Sequence, residues 1–125
     1  MSEDLWGDFI PHEEENEILD HLNKYVDALE EKTGGRISAK IENYIDEDDY
    51  VRYDFNIRSK RMNYNKMLMF IYHPITSKYP LTVRSFTFES HIICKDFEGF
   101  NAAVKQVLSG EVITQLLKNL LTFSK

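Results

Sequence analysis

The chain has 125 residues, of which 42% are hydrophobic, 13% aromatic and 29% charged, and this size and composition are typical of one globular domain. Its formal net charge of −6 is unevenly distributed: residues 1–49 hold sixteen acidic and four basic side chains, whereas residues 50–125 hold five and eleven. One cysteine excludes an internal disulfide framework, and the apolar runs are too short to span a bilayer.

The N-terminus is acidic where a signal peptide is basic and then apolar. We therefore expect a cytoplasmic protein with no membrane association. No internal repeat and no linker rich in proline, glycine or serine divides the chain, so we expect a single domain over residues 1–125, of which residues 1–11 form an N-terminal arm.

Residues 12–32 are predicted to form an amphipathic helix. Their apolar side chains recur at helical spacing, at Ile18, Leu22, Tyr25, Val26 and Leu29. Glutamates crowd its first turns, where the helix dipole favours negative charge. Gly34 and Gly35 follow, and glycine readily adopts the left-handed conformation that ends a helix.

Apolar alternation then predicts strands over residues 36–45, 50–58 and 64–73. The third has apolar residues on both faces, which is typical of a strand covered on both sides. Two prolines mark residues 74–80 as a loop. Residues 81–94 are again predicted to be extended. Their apolar side chains change from odd-numbered to even-numbered positions along the segment, which predicts a bulge or break near Ser85.

Two helices are predicted at the C-terminus, one beginning after Asp96, a favourable N-cap, and one over residues 111–123. Apolar residues cover about half the circumference of the last helix, more than one-sided packing needs. It therefore lies either in a groove of its own chain or at a dimer interface formed by Leu116, Leu117, Leu120 and Leu121.

These elements predict an α+β fold. We expect one N-terminal helix, an antiparallel four- or five-stranded meander sheet, and two C-terminal helices packed on one sheet face.

The acidic residues form the main candidate site for binding a protein partner. They are Glu13, Glu14 and Glu17 on the first helix and Asp46, Glu47, Asp48 and Asp49 in the following turn. The turn lacks the spacing and the glycine of a calcium-binding loop, so its alternative is a simple solvated turn. An acidic surface attracts basic proteins and accelerates their association.

A basic patch follows directly in the sequence, at Arg52, Arg58, Lys60, Arg61 and Lys66. Tyrosines lie between these cations, and such a combination can bind single-stranded nucleic acid through phosphate contacts and base stacking. However, the aromatic motif of RNA-recognition sheets is absent, and the isoelectric point near 5.2 disfavours a polyanion. We therefore disfavour nucleic acid as a partner and interpret the basic patch as a solvated or protein-facing edge.

No catalytic motif is present, and we expect no cofactor. His12 and His21 would lie on opposite sides of the first helix, and Glu17 beside His21 is typical of an ordinary helix pair, so we expect no metal site. Cys94 shares its phase with apolar neighbours and is predicted to be a core residue. The alternative site is a small-ligand pocket between the sheet and the C-terminal helices, near Tyr72, His73, Arg84 and His91.

The sequence thus favours a small acidic, non-catalytic protein-binding module of the immunity, inhibitor or chaperone kind, able to form a homodimer through its last helix. A small-ligand enzyme or binding protein is the first alternative. Single-stranded nucleic-acid binding through the basic patch is the second.

Overall fold

A computed structural model describes residues 16–89 and 91–123. Its elements, in chain order, are α1 (Glu17–Lys32), β1 (Ser38–Ile45), β2 (Tyr50–Ser59), β3 (Tyr64–Pro74), β4 (Leu81–Ser85), β5 (Ile92–Cys94), α2 (Phe97–Leu108) and α3 (Glu111–Phe123). The strands form one antiparallel sheet in the order β1-β2-β3-β4-β5, which is a meander. The predicted α+β fold, with one N-terminal and two C-terminal helices, is confirmed.

Asn16 is the N-cap of helix α1, and its side chain accepts a hydrogen bond from the Leu19 backbone N–H at 3.1 Å. It ends at Lys32, and the chain turns through Gly34 and Gly35, whose φ angles of 61° and 79° lie in the left-handed region. The predicted stop is confirmed. The predicted first residues of this helix, 12–15, lie outside the described residues.

The core lies between the helices and one face of the sheet. α1 contributes three buried residues, and α2 and α3 contribute Phe100, Val104 and Ile113 among others. The buried sheet residues facing them include Phe55, Ile57, Leu68, Met69, Ile71, Leu81 and Val83. Arg36 donates a hydrogen bond to the carbonyl of Leu121, which joins the last turn of α3 to the segment between α1 and β1.

Strand β3 contains a pairing irregularity that the sequence did not indicate, because apolar residues occupy both faces of this strand. Phe55 pairs with Met69 but Asn56 pairs with Met67, so Leu68 is an extra residue between them. Leu68 and Met69 are consequently both buried, and Met67 faces the opposite side with 36% of its surface exposed. The break predicted near Ser85 is confirmed, because β4 ends at that residue.

The expectation that β3 is covered on both sides is wrong for the described residues. Helices cover only one sheet face, and the other, here called the open face, has no helix or strand of the described chain over it. The aromatic residues of β3 on the open face are instead covered by side chains of neighbouring strands. Tyr72 packs edge-on against Tyr50, with ring centroids 5.5 Å apart, and Phe70 lies under Arg52.

Candidate binding surfaces

The acidic turn between β1 and β2 is held by its own backbone and side chains. The Asp46 carboxylate accepts hydrogen bonds from the backbone N–H groups of Asp48 and Tyr50, at 2.9 and 3.1 Å. The Asp49 carbonyl accepts one from Ile75 in the loop after β3, at 3.1 Å. Asp46 therefore shapes the turn, and the exposed side chains of Glu47, Asp48 and Asp49 carry its outward negative charge.

Glu17 lies at the same end of the sheet as this turn, at the start of α1. Its carboxylate accepts a hydrogen bond from the Tyr79 hydroxyl at 2.9 Å and lies 3.7 Å from the Lys78 ammonium. Burial, together with the negative charge of Glu17, raises the pKa of Tyr79. Glu17 is thus partly neutralised within the chain. The other predicted helix acids, Glu13 and Glu14, lie outside the described residues.

The basic patch begins at the opposite end of the sheet. Lys60 and Arg61 occupy the turn that follows β2, whereas the acidic turn precedes β2. Because β2 has ten residues, about 30 Å separates the two turns. A cleft of about 460 Å³ at this end is lined by Gly35, Arg36, Lys60 and Arg61. The charge asymmetry of the sequence therefore becomes a separation between two ends of one sheet, the acidic end and the basic end.

The remaining members of the predicted basic patch do not share one surface. Arg52 and Arg58 lie on the open face. Lys66, by contrast, pairs with the buried Ile57 beyond the β3 irregularity, and its ammonium lies 4.5 Å from the ring centroid of Phe86. The irregularity places Lys66 on the helix-covered side of the sheet. At this position β3 has no pairing partner in β4, because the pairing ends at Met69 and Ser85.

Arg52 is the centre of an aromatic cluster on the open face. Its guanidinium carbon lies 3.9 Å from the ring centroid of Phe70, and its Nε is 2.7 Å from an Asp54 carboxylate oxygen. Tyr44 donates a hydrogen bond from its hydroxyl to the other Asp54 oxygen at 2.8 Å. Burial and the neighbouring carboxylate raise the pKa of Tyr44. Arg84 reaches the same Phe70 ring, at 5.8 Å. The sequence analysis missed this cluster. The available signal was that its members occupy alternate positions of β1 to β4 and therefore face the same side of the sheet.

The four residues predicted to line a small-ligand pocket do not converge, which corrects that assignment. Tyr72 and Arg84 lie on the open face, whereas His73, the next residue after Tyr72, points to the helix-covered face and is 6% exposed. His91 is exposed just before β5. Consecutive strand residues face opposite sides, so Tyr72 and His73 cannot line one cavity.

His73 instead belongs to a buried hydrogen-bonded chain. Its Nδ1 donates to the Pro74 carbonyl at 2.8 Å, which leaves Nε2 to accept from the Tyr53 hydroxyl at 3.3 Å. The Asn16 side-chain amide donates to the same hydroxyl at 3.2 Å. Burial raises the pKa of Tyr53. The chain of contacts ties the N-cap of α1 to β2 and β3, which is a structural role.

An apolar groove does lie between the sheet and the helices, but other residues form it. Its volume is about 630 Å³, with Phe55 and Leu68 at its floor. The remaining lining comes from α1 and from the two C-terminal helices, through Tyr25, Ala28, Leu29, Glu31, Lys32, Leu108 and Leu117. The floor carries no polar side chain, so the groove is suited to apolar ligand surface.

The predicted dimer face on α3 is largely occupied by the protein's own core. Leu120 is buried, and Leu116, Leu117 and Leu121 pack partly against the core. Val112 and Phe123, 53% and 65% exposed, are the apolar residues of α3 that remain most open to solvent. The broad apolar arc therefore serves chiefly to seat α3 against α2 and the hydrophobic core.

Cys94 is buried as predicted, and burial raises the pKa of its thiol, which disfavours the reactive thiolate. Across residues 16–89 and 91–123, no group of histidine, cysteine and carboxylate side chains has the arrangement to hold a metal ion. Nor does any helix in those ranges have the length and apolarity to cross a membrane.

No protein-family model, curated protein or solved structure matches the chain. The fold and its surfaces define an α+β protein with one helix-covered sheet face, one open face and two oppositely charged ends.

Proposed function

We propose that this protein is a non-catalytic protein-binding module whose acidic end docks a basic surface of its partner. The observation that carries the proposal is the separation of the acidic and basic turns by the length of β2. Charges that are so far apart do not neutralise each other, because the screening length at physiological ionic strength is about 8 Å.

The exposed carboxylates of the acidic turn are available to a partner. Glu47 and Asp48 form no ion pair with the described residues, in which the ion pairs are Arg52–Asp54 and Lys78–Glu17. The hydrogen bonds of Asp46 hold the backbone of the turn that carries both side chains. A preformed acidic surface of this kind raises the association rate with a basic partner and selects against acidic ones.

The proposal is tested by comparing three forms of the protein in capture experiments at low and moderate salt. The charge-reversal variant Glu47→Lys/Asp48→Lys alters the acidic end. The variant Glu98→Lys/Glu111→Lys makes the same change in net charge at exposed positions on α2 and α3. A basic protein captured by the wild type and the α2–α3 variant but lost from the turn variant supports the proposal.

Purified partner and wild type should then associate about tenfold faster than partner and turn variant, measured by stopped-flow fluorescence at low salt. Equal rates for the two would contradict docking at the acidic end. Capture that is the same for all three forms, or that yields no basic protein, would contradict it as well.

The groove between the helices and the sheet supports a second candidate function, the binding of a small ligand with an apolar chain. Its floor is apolar, and its two charged lining residues, Glu31 and Lys32, are adjacent on α1, so that Lys32 is the residue of the lining that can meet an anionic head group. Pockets that bind small molecules are typically apolar cavities of this size with few polar groups.

Dodecanoate is a direct probe of this second candidate, with binding measured by calorimetry. We expect saturable binding by the wild type and at least a tenfold loss in Ala28→Trp, whose indole would fill the groove from its rim. Asp27→Trp, at the adjacent exposed position outside the groove lining, is the matched control. Equal binding by both variants would exclude the groove as the site.

A further inference from the structure

The open face of the sheet combines stacking surfaces with cations in a protein that is acidic overall. We propose that this face binds single-stranded nucleic acid, with phosphates held by its cations and bases stacked on its aromatic cluster. The inference concerns the open face and not the acidic turn that adjoins it, and it does not depend on a partner docking at that turn.

Strand pairing arranges the polar and aromatic side chains of this face in rows that run across the sheet. One row runs across the sheet through Tyr44, Arg52, Tyr72 and Thr82, and the next through Glu42, Asp54, Phe70 and Arg84. Lys40, Asn56 and Met67 form a third row, and Ser38, Arg58 and Asn65 a fourth. From Arg52 to Arg58 the face extends about 20 Å along β2, which is sufficient for a few nucleotides.

The stacking surfaces are exposed and held in place. Tyr44 and Tyr50 have 41% and 37% of their surfaces exposed. The Arg52 guanidinium is held by Asp54, at 2.7 Å, and by the ring of Phe70, at 3.9 Å, and a base can stack on a guanidinium plane as it does on an aromatic ring. Single-stranded nucleic acid is recognised in this way with little sequence preference.

Charge on the open face favours a polyanion. Lys40, Arg58 and Arg84 form no ion pair with the described residues. Of the two carboxylates on the face, Asp54 is 9% exposed and already contacts Arg52 and Tyr44. Among the described residues, the face therefore presents three cations without an ion pair, against the one exposed carboxylate of Glu42.

The net charge of −6 disfavours binding of a polyanion, but the acidic side chains are not spread evenly over the protein. The acidic turn lies at one end of β2, whereas Lys40 and Arg58 lie towards the other end, beside Lys60 and Arg61 of the turn. At physiological salt, charges beyond about 8 Å are largely screened, so a phosphate near Lys40 and Arg58 responds mainly to these cations. Tyr44 and Tyr50 lie next to the acidic turn, and we assign them to base stacking, not to phosphate contact.

The test uses fluorescence anisotropy with labelled oligo(dT) and oligo(rU) of about eight nucleotides at 50 and 150 mM salt. Three phosphate contacts predict a slope of about −2 in log K against log salt concentration. Oligo(dT) and oligo(rU) should bind with similar affinity, because stacking on an open sheet discriminates weakly between them. Absence of binding at 50 mM salt would overturn the proposal.

Variants locate the site. Arg84→Gln should weaken binding about fivefold and reduce the salt slope by about 0.7, because one phosphate contact is lost. Tyr44→Leu should weaken it about tenfold, whereas Tyr44→Phe keeps the ring and should retain most of the affinity. Lys118→Gln, an exposed position on α3, is the matched charge control and should bind as the wild type does.

Circular dichroism and thermal melting of each variant separate lost binding from lost folding. Polyglutamate of matched charge is the competitor that tests for a generic polyanion or an acidic protein. Equal affinity for polyglutamate would overturn the assignment, as would an equal loss of oligonucleotide binding in Lys118→Gln. Sedimentation of the free protein tests the remaining occupant, a second copy; a stable dimer that is broken by Tyr44→Leu and excludes the oligonucleotide would also overturn it.

Discussion

The most informative single residues are polar side chains buried against the sheet. Tyr53 and His73 are 2% and 6% exposed, and each satisfies a hydrogen bond of the other. A buried polar group without a partner costs more free energy than the bond itself contributes, so such pairs constrain the packing of the elements that carry them. Here they fix where α1 begins relative to β2 and β3, through Asn16.

Replacing Tyr53 by Phe keeps the ring and removes the hydroxyl that joins Asn16 to His73. His73 Nε2 would then be buried without its donor, so we expect the free energy of unfolding to fall by about 1–3 kcal/mol. Urea denaturation of the variant measures the change. Tyr64→Phe is the control, because the Tyr64 hydroxyl has no hydrogen bond to the described residues. Equal stability of Tyr53→Phe and the wild type would contradict a structural role for this chain of contacts.

His21 gives the fold a predictable pH dependence. Its ring lies between α1 and α2, with ring centroids 5.1 Å from Phe97 and 5.4 Å from Phe100. Burial lowers its pKa below the usual value of 6.5, the charges of Lys24 and Lys105 lower it further, and the Asn101 amide acts in the opposite direction. The folded protein therefore favours the neutral ring.

Because the pKa of His21 is lower in the folded than in the unfolded state, its contribution to stability is complete above pH 6.5. That contribution is lost as the pH falls through the lowered value. We expect the melting temperature to decrease between pH 7.5 and 5.5, and His21→Gln to show a smaller decrease over that range. Identical pH profiles for the two proteins would show that His21 does not carry the effect.

At the scale of elements, helix α3 shows how packing selects among similar residues. Its sequence offers apolar side chains around half its circumference, and each has a similar intrinsic tendency to be buried. The structure buries Ile113 and Leu120 and leaves Val112 and Phe123 at the surface. The selection follows from the docking of α3 onto α2 and from the contact of its last turn with Arg36.

A pair of substitutions tests that selection. Leu120→Ala removes buried methylene groups, and we expect a loss of about 2–4 kcal/mol in the free energy of unfolding. Val112→Ala changes an exposed position, where the effect should stay within about 0.5 kcal/mol. Denaturant titration compares the two. A large cost for Val112→Ala that depends on protein concentration would show instead that the exposed side of α3 forms an interface between copies.

At the scale of the whole molecule, the sheet organises the charge. The two charged turns flank β2, one before it and one after it, so they lie at opposite ends of the sheet, separated by the length of that strand. The same meander turns alternate side chains of four strands onto one face, where Arg52, Phe70 and Arg84 come together from three different strands.

The sequence by itself determined the elements, because helix and strand periodicity, caps and glycine stops act over a few residues. The helix stop at Gly34, the Asp96 N-cap and the break at Ser85 are all local signals, and the structure confirms them. The sequence also located the acidic and basic clusters, since charge is a property of composition.

Only the tertiary structure decided which faces those elements present. The irregularity at Leu68 reverses the phase of β3, separating Lys66 from Arg52 and Arg58, and its energetic reason is the burial of two adjacent apolar side chains against the helices. The separation of Tyr72 from His73 and the gathering of Tyr44, Asp54 and Phe70 around Arg52 likewise depend on strand pairing. Pairing is set by contacts between residues distant in sequence, and alternation within one strand does not specify it.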